Sequence, residues 1–429
     1  MKMVKSLLLG TAAGLVAMTG AQAADLPVKA KPVQYVKICS LYGAGFYYMP
    51  GTDTCIKIGG WVRAEMNFNA NGSFNPFHTV DFDDRSTNQE VTRVRGIMTV
   101  DARSQTEYGT LRSYMAGGWD WDNGGASFPA QVYAYRGFIQ WAGFTAGRSV
   151  SFFDFYATPA YSNTTGVWAS DTGGTGMDLF AYTAQFGNGF SASISAEDTS
   201  HRRTSVTGAA TAVYGGRGAP DVAANLRLDQ AWGSAQVMGG VHQIVTDNVG
   251  NAGYNKLGWA AGAGVKFNLP MLGAGDSFTT QFTYAKGALH YVGSGLGTGF
   301  VITSSGTVGR GVAADAVDTG ADLELTEGWS VVGGYQHNWT KQWKTSLYGT
   351  YGHINYSDAA SLQITAVAGS NADWAFWQVG SRTVWTPVAN LDLSIDVLYN
   401  RLDQDRLGAT ADDKGWWQGM FRVQRNFYP

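Results

Sequence analysis

Residues Cys55–Asn69, CIKIGGWVRAEMNFN, alternate without a break. Ile56, Ile58, Gly60, Val62, Ala64, Met66 and Phe68 take the even positions, while Lys57, Arg63, Glu65 and Asn67 share the odd ones. An extended chain sends successive side chains to opposite faces, so this stretch reads as a strand with one apolar and one ionic face. It is also much longer than the usual strand of about 5–6 residues. The same pattern recurs at Arg93–Ser104, Glu107–Gly117, Ala130–Trp141, Phe144–Val150, Asp178–Phe186, Phe190–Glu197 and Asp221–Ala231. It continues at Ala235–Val245, Tyr254–Asn268, Ser277–Lys286, Trp329–Trp339, Trp343–Tyr356, Asp373–Trp385, Leu391–Leu402 and Gly415–Phe427, which makes sixteen strands. Gly187-Asn188-Gly189 is a strong hairpin turn.

The connections alternate in length. Short turns fall near 105–106, 142–143, 187–189, 232–234, 269–276, 340–342 and 386–390. Long ones fall near 70–92, 118–129, 151–177, 198–220, 246–253, 287–328, 357–372 and 403–414. A meander with short turns at one end and long loops at the other is the plan of a transmembrane barrel. Region 287–328 is glycine-rich, and a hairpin hidden there would bring the count to eighteen.

Composition agrees. Charged residues are 15% of the 429, against about 25% in an ordinary soluble domain, and there are 57 Gly but only 10 Pro. Past the N-terminus no apolar run is long enough for a spanning helix. Strands of about 9–15 residues cross a bilayer when tilted, and their backbone groups must all pair within the protein, so the sheet closes on itself. The apolar face then meets lipid and the ionic face water. Trp141, Trp259, Trp329, Trp339, Trp343, Trp377, Trp385 and Trp417 share the apolar parity near strand ends, as an interfacial girdle requires, whereas Trp61 has the polar parity. The expected fold is therefore all-β, a 16-stranded antiparallel transmembrane barrel with long extracellular loops and short periplasmic turns.

The chain begins with an export signal: Lys2 and Lys5, an apolar core from Leu7 to Met18, and the cleavage motif Ala21-Gln22-Ala23. The expected organisation is a signal peptide over 1–23, a pre-barrel segment over 24–54 and the barrel over 55–429. Losing Lys2 and Lys5 takes the formal charge from −3 to −5, an acidity that argues against nucleic acid as a partner. Cys39 and Cys55, the only cysteines, should pair in an oxidising compartment, with two free thiols as the alternative. In the closing stretch WWQGMFRVQRNFYP, Trp417, Phe421, Val423 and Phe427 share one parity, and the aromatic expected to end the last strand is Phe427, followed here by Tyr428 and Pro429.

The segments CSLYGAGFYYMPGTDTCIKIGGWVRAE, RGFIQWAGFTAGRSVSFFDF, WQVGSRTVWTPVANLDLSIDVLY and FRVQRNF resemble the general porins of alphaproteobacteria. The resemblance covers essentially the whole mature chain, apart from loops 198–220 and 287–328. It implies a homotrimer in the bacterial outer membrane that passes small hydrophilic solutes passively, without a cofactor. It also implies a third long loop that folds into the pore and narrows it.

A barrel of this strand count encloses water, so function lies in the pore radius and in the charges that line it. The polar parity puts Lys57, Arg63, Arg93, Arg95, Arg103, Arg112 and Arg136 on four successive strands. Loop 151–177 carries acids and no bases, Asp154 and Asp171, with Asp178 just after. Folded inward, it would oppose the arginine wall and set up a transverse field. The plainer reading pairs those arginines with Glu65, Asp101 and Glu107 as structural salt bridges. Arg148 shares the parity of Phe144 and Ala146, so it either turns inward at a bulge or lies at the loop root.

Other chemistry is weakly signalled. The six histidines, at 78, 201, 242, 290, 337 and 353, have no metal-ligand spacing. The acids in VDFDDRS read as a solvated loop, and GSGLGTG lacks the lysine and strand–helix context of a phosphate loop. A barrel enzyme would need a Ser/His or Asp/His group on the wall, and no histidine compels one. A sugar-specific porin would need an aromatic stripe, which Tyr108, Tyr114 and Tyr348 do not form.

Overall fold

The computed structural model describes residues 37–68, 89–123, 131–164, 166–173, 176–208, 213–247, 253–293, 300–304, 307–368, 372–404 and 414–427. The expected signal peptide and the acids of VDFDDRS lie outside the described residues. Sixteen long strands form one antiparallel barrel. They are β1 (Cys55–Phe68), β2 (Glu90–Thr106), β3 (Gly109–Asp122), β4 (Gln131–Trp141), β5 (Phe144–Ser149), β6 (Met177–Gly187), β7 (Phe190–Glu197) and β8 (Asp221–Gln230). They continue with β9 (Gly233–Asp247), β10 (Asn255–Asn268), β11 (Ser277–Lys286), β12 (Glu327–Asn338), β13 (Trp343–Asn355), β14 (Trp374–Val388), β15 (Leu391–Gln404) and β16 (Lys414–Asn426). Each pairs with its neighbour in sequence, and β16 closes on β1 in a register running from Trp61 opposite Asn426 to Phe68 opposite Gly419. No edge of the sheet is left unpaired, as a strand wall in lipid requires.

Alternation decides which face each residue takes. Met98 and Met115 point outward, 49% and 59% exposed, while Arg95 and Thr99 on β2 turn inward. The eighteen-strand alternative fails. Region 287–328 does contain the hairpin Phe300–Ser304 with Thr307–Gly311, but that hairpin forms its own small sheet outside the wall. Ala316–Asp318 joins Leu323–Leu325 and Val206–Gly208 in another. The loop before β14 holds a helix, Asp358–Ala368.

Two departures from the expected strands matter. β3 runs on to Asp122, past the Gly117-Gly118 pair that reads as its end. Trp119 and Trp121 keep pointing outward, so Asp120 and Asp122 point inward, opposite Arg95 and Arg93. In β4 the register slips: Ala116 pairs with Arg136 but Gly117 with Ala134, leaving Tyr135 as an inserted residue. A bulge puts two consecutive residues on one side. Tyr135, expected on the apolar face, therefore joins Arg136 inside, where it lines a cavity with Arg63 and Arg95.

Cys39 and Cys55 are bonded, with Cα atoms 6.0 Å apart, and both are buried. Tyr47–Tyr48 adds a short strand against Cys55 and Ile56, and Phe46 and Tyr42 lie beneath the Arg103 guanidinium, at 4.9 and 5.6 Å. The bond closes a loop of 16 residues. Removing it in Cys39→Ser/Cys55→Ser should lower stability by about 3 kcal/mol through loop-closure entropy. The check is the heating temperature at which the folded barrel loses its faster gel migration, compared between wild type and variant. An unchanged temperature would mean that the segment is held by its aromatic packing alone.

Candidate functional site: the lumen and its inward loop

Loop 150–176 leaves β5, enters the barrel and packs against the inner faces of β8 to β16. Three features hold it. The first is a set of side chains that satisfy its backbone. Gln281 Oε1 on β11 accepts from the N–H groups of Phe155 (3.1 Å) and Tyr156 (2.7 Å). Gln378 on β14 accepts from Trp168 N–H and donates to Gly166 O, both at 2.9 Å. Thr350 on β13 donates to Trp168 O at 2.6 Å. A buried backbone group without a partner is costly, so these contacts are what allow irregular backbone to lie inside a barrel.

The second is a charged clamp at the loop tip, which carries a single helical turn, Thr158–Tyr161. Arg382 on β14 donates to the carbonyls of Pro159 (2.9 Å), Ser162 (3.0 Å) and Ala160. These are the carbonyls a helix C-terminus leaves open, where a cation is favoured. Asp396 on β15 accepts from Asn163 N–H (2.5 Å), Ser162 Oγ (2.9 Å) and Tyr348 OH (2.5 Å). Arg422 on β16 donates to the side chain (3.1 Å) and backbone (2.5 Å) oxygens of Asn163, and its other partner is Glu65 at 2.5 Å.

The third is fit. Lumen-facing glycines act as sockets for loop aromatics. A Cβ added at Gly264 would come within 2.3 Å of Phe155, one at Gly334 within 2.5 Å of Tyr161, and one at Gly352 within 3.0 Å of Trp168. Trp168 also stacks on Trp374 at 5.4 Å. Loop and strands share a buried apolar cluster in what would otherwise be open lumen.

The loop fills one side of the barrel and leaves the side of β1 to β4 open. Two cavities remain, an outer one on that side and an inner one lined by the loop, Arg63 and residues of β10 to β16. The outer one, about 520 Å³, lies between the loop and Arg63, Arg93, Arg95 and Tyr135, under residues of the long loops such as His201 and Arg203. The inner one, about 600 Å³, reaches Pro270 and Asp276 at a short turn. Arg63, Pro159, Asn163 and Arg422 line both.

Most of the basic residues named from the sequence are paired. Arg93 meets Asp122 at 2.6 Å and Arg95 meets Asp120 at 2.6 Å. Arg103 and Arg112 share Asp101, at 2.7 and 2.9 Å. Lys57 donates to Ala44 O at 3.2 Å, Arg136 to Gly173 O in the loop, and Arg63 to Gln424 at 2.8 Å while stacking on Trp61 at 4.2 Å. The wall is thus a salt-bridge lattice, with Asp120 and Asp122 as partners that a strand ending at Gly117 would leave in a loop.

The three acids differ more from expectation. Asp178 does not face the wall. It shares the outward parity of Phe180 and pairs with Arg148 at 3.1 Å, so Arg148 sits at the loop root and not in a bulge. Asp154 points back into the loop, where Thr172 N–H (2.6 Å), Ser170 Oγ (2.8 Å) and the fully buried Arg202 (3.1 Å) hold it. Asp171 accepts from the N–H groups of Thr158 and Gly173, both at 2.7 Å. Burial, and then the Asp154 carboxylate, push its pKa up. Acids inside a bent backbone find its N–H groups before they find arginines across water. Nearby, burial and the Arg202 charge push His290 down to about 3, so that it is neutral.

The clamp residues Gln281, Gln378, Arg382, Asp396 and Arg422 are not among those the sequence singles out. All have lumen parity, which is the one signal available. Nothing in their own strands distinguishes them from solvated lumen residues.

The chain matches the Porin subfamily across residues 25–420. It belongs to this porin family. Among curated proteins, it is 26% identical to porin Omp2b of Brucella suis biovar 1 and to that of Brucella abortus strain 2308, in each case over 99% of both chains. Omp2b of Brucella neotomae is 32% identical over 54% of this chain and 64% of its own length. Among solved structures, the outer-membrane channel DcaP of Acinetobacter baumannii superposes with a TM-score of 0.66 at 15% identity, over 89% of this chain and 99% of its own. The anion-selective porin of Comamonas acidovorans gives 0.50 at 13%, over 87% and 100%. The porin is an outer-membrane channel protein of bacterial type, with its strands in the bilayer.

Proposed function

We propose that the porin is a passive diffusion channel for small hydrophilic solutes and ions, narrowed midway where the inward loop approaches the basic wall of β1 to β4. The observation that carries this is the sharing of Arg63, Pro159, Asn163 and Arg422 by the outer and inner cavities, which supports one continuous water path with its waist at those residues. A waist built of fixed guanidiniums and loop carbonyls selects by size and charge and needs no moving part. Asp154 is turned away, and Asp171, although it lines the outer cavity, gives its oxygens to backbone N–H groups, so the field at the waist comes mainly from the wall and from Arg422. Export with cleavage after Ala23 and assembly as a homotrimer belong to the same reading, on the strength of the family resemblance.

The sugar-selective alternative is weaker, because Trp168, Trp374 and Trp416 are buried in loop packing, which leaves Trp61 and Tyr135 as the rings lining the outer cavity. The test is purified protein in planar bilayers. Stepwise, ohmic conductance that falls steadily with solute radius is expected, with steps and closures in threes. Absence of conductance steps would defeat the channel reading, and saturable block by a sugar would favour the alternative.

A further inference from the structure

Docking of the loop does not use all the cations of the lumen. Lys266 on β10 and Lys344 on β13 have lumen parity and line the inner cavity of about 600 Å³ with Arg63, Arg382 and Arg422. Among the described residues, neither lysine ammonium makes a hydrogen bond or an ion pair. Arg382 directs its donors to neutral carbonyls and so keeps its charge. Its acidic neighbour Asp396 is already shared by Tyr348, Ser162 and Asn163.

The two acids in the cavity wall are also committed elsewhere. Asp276 accepts from Asn338 N–H (2.8 Å), Asn338 Nδ2 (3.3 Å), His337 Nδ1 (2.6 Å) and Tyr335 OH (3.0 Å). Asp392 accepts from Thr386 Oγ1 at 2.6 Å. Elsewhere in the barrel arginines meet their acids in direct pairs. Here the acids face backbone, amide, imidazole and hydroxyl donors, and the lysines line the concavity.

We propose that the inner vestibule is a binding site for small, multiply charged anions, phosphorylated or polycarboxylate, held in the cationic cavity that Lys266, Lys344, Arg382 and Arg422 line together. This deepens the diffusion-channel reading and rests on it. Several positive charges around one cavity hold a solute with two or more negative charges more strongly than a singly charged ion, because the Coulomb attractions add. Lysine suits such a site because its flexible stem follows a passing solute, whereas the arginines are fixed in the loop clamp. If the lysines were merely solvated, they would raise the local concentration of every anion alike and show no saturation.

The experiment measures chloride current through the reconstituted full-length porin at low salt, with pyrophosphate or citrate added to one side at a time. Saturable reduction is expected, stronger from the side of the short turns, and whichever anion acts at lower concentration identifies the preferred class. Lys266→Gln/Lys344→Gln should raise the half-blocking concentration at least about tenfold, by removing two charges from a salt-sensitive cavity. Lys266→Arg/Lys344→Arg should keep the block, and Lys341→Gln, at an exposed turn, should leave it unchanged. Block by neither anion, block that survives the double glutamine variant, or equal loss in Lys341→Gln would overturn the proposal. A preparation with no conductance at all would count against the diffusion-channel reading instead.

Discussion

In Asp396→Ala the single-channel conductance is expected to rise by roughly one-and-a-half- to twofold, because pore radius sets the flux and the loop tip sets the radius. The carboxylate receives three buried donors, Asn163 N–H, Ser162 Oγ and Tyr348 OH. Each donor left without an acceptor costs about 1–3 kcal/mol. The loop can escape that cost by leaving the wall, since its tip borders water on both sides. The strands cannot, because their ladders are closed around the ring. The change should therefore loosen the loop before it melts the barrel. Bilayer recordings give the step size, and gel mobility before and after heating reports the fold. Wild-type conductance in a folded variant would mean that Arg382, Arg422 and the aromatic sockets hold the tip unaided.

The second large effect concerns charge. Arg93→Gln/Arg95→Gln should move the permeability ratio toward cations by about three- to tenfold, through the field of a narrow, low-dielectric passage. The arginines pair at 2.6 Å with Asp122 and Asp120, so neutralising them removes two positive charges and also exposes two negative ones. The reversal potential in a salt gradient measures the shift. Adding Asp120→Asn/Asp122→Asn should bring the ratio back toward wild type, which a general collapse of the lumen would not do. An unshifted reversal potential in the arginine variant would remove this wall from the selectivity mechanism.

Strand positions were readable because lipid on one side and water on the other impose a period of two on every wall residue, and no packing preference overrides it. The same rule could have excluded Asp178, which shares the parity of Phe180 and Tyr182. Following the loop's acidity instead of the strand's phase leads to the wrong face. The Tyr135 insertion was not readable, because a bulge shifts phase without a marking residue. The loop's anchors were hidden for a different reason. Gln281, Gln378 and Asp396 acquire their role from backbone groups brought to them by folding, and from sequence alone a glutamine in water looks the same as one clasping a peptide bond.

Those anchors have a bearing on how the molecule is made. Gln378 holds a residue 210 positions earlier, and Asp396 and Arg422 hold Asn163 across 233 and 259. Tyr161 can meet Gly334 and Thr279 earlier, but the charged clamp on the tip forms only when the last three strands are in place. A barrel without those strands would lack Arg382, Asp396 and Arg422, the groups that fix the tip at the waist. Seam closure and completion of the clamp thus come together, because Arg422 stands on the strand that pairs with β1.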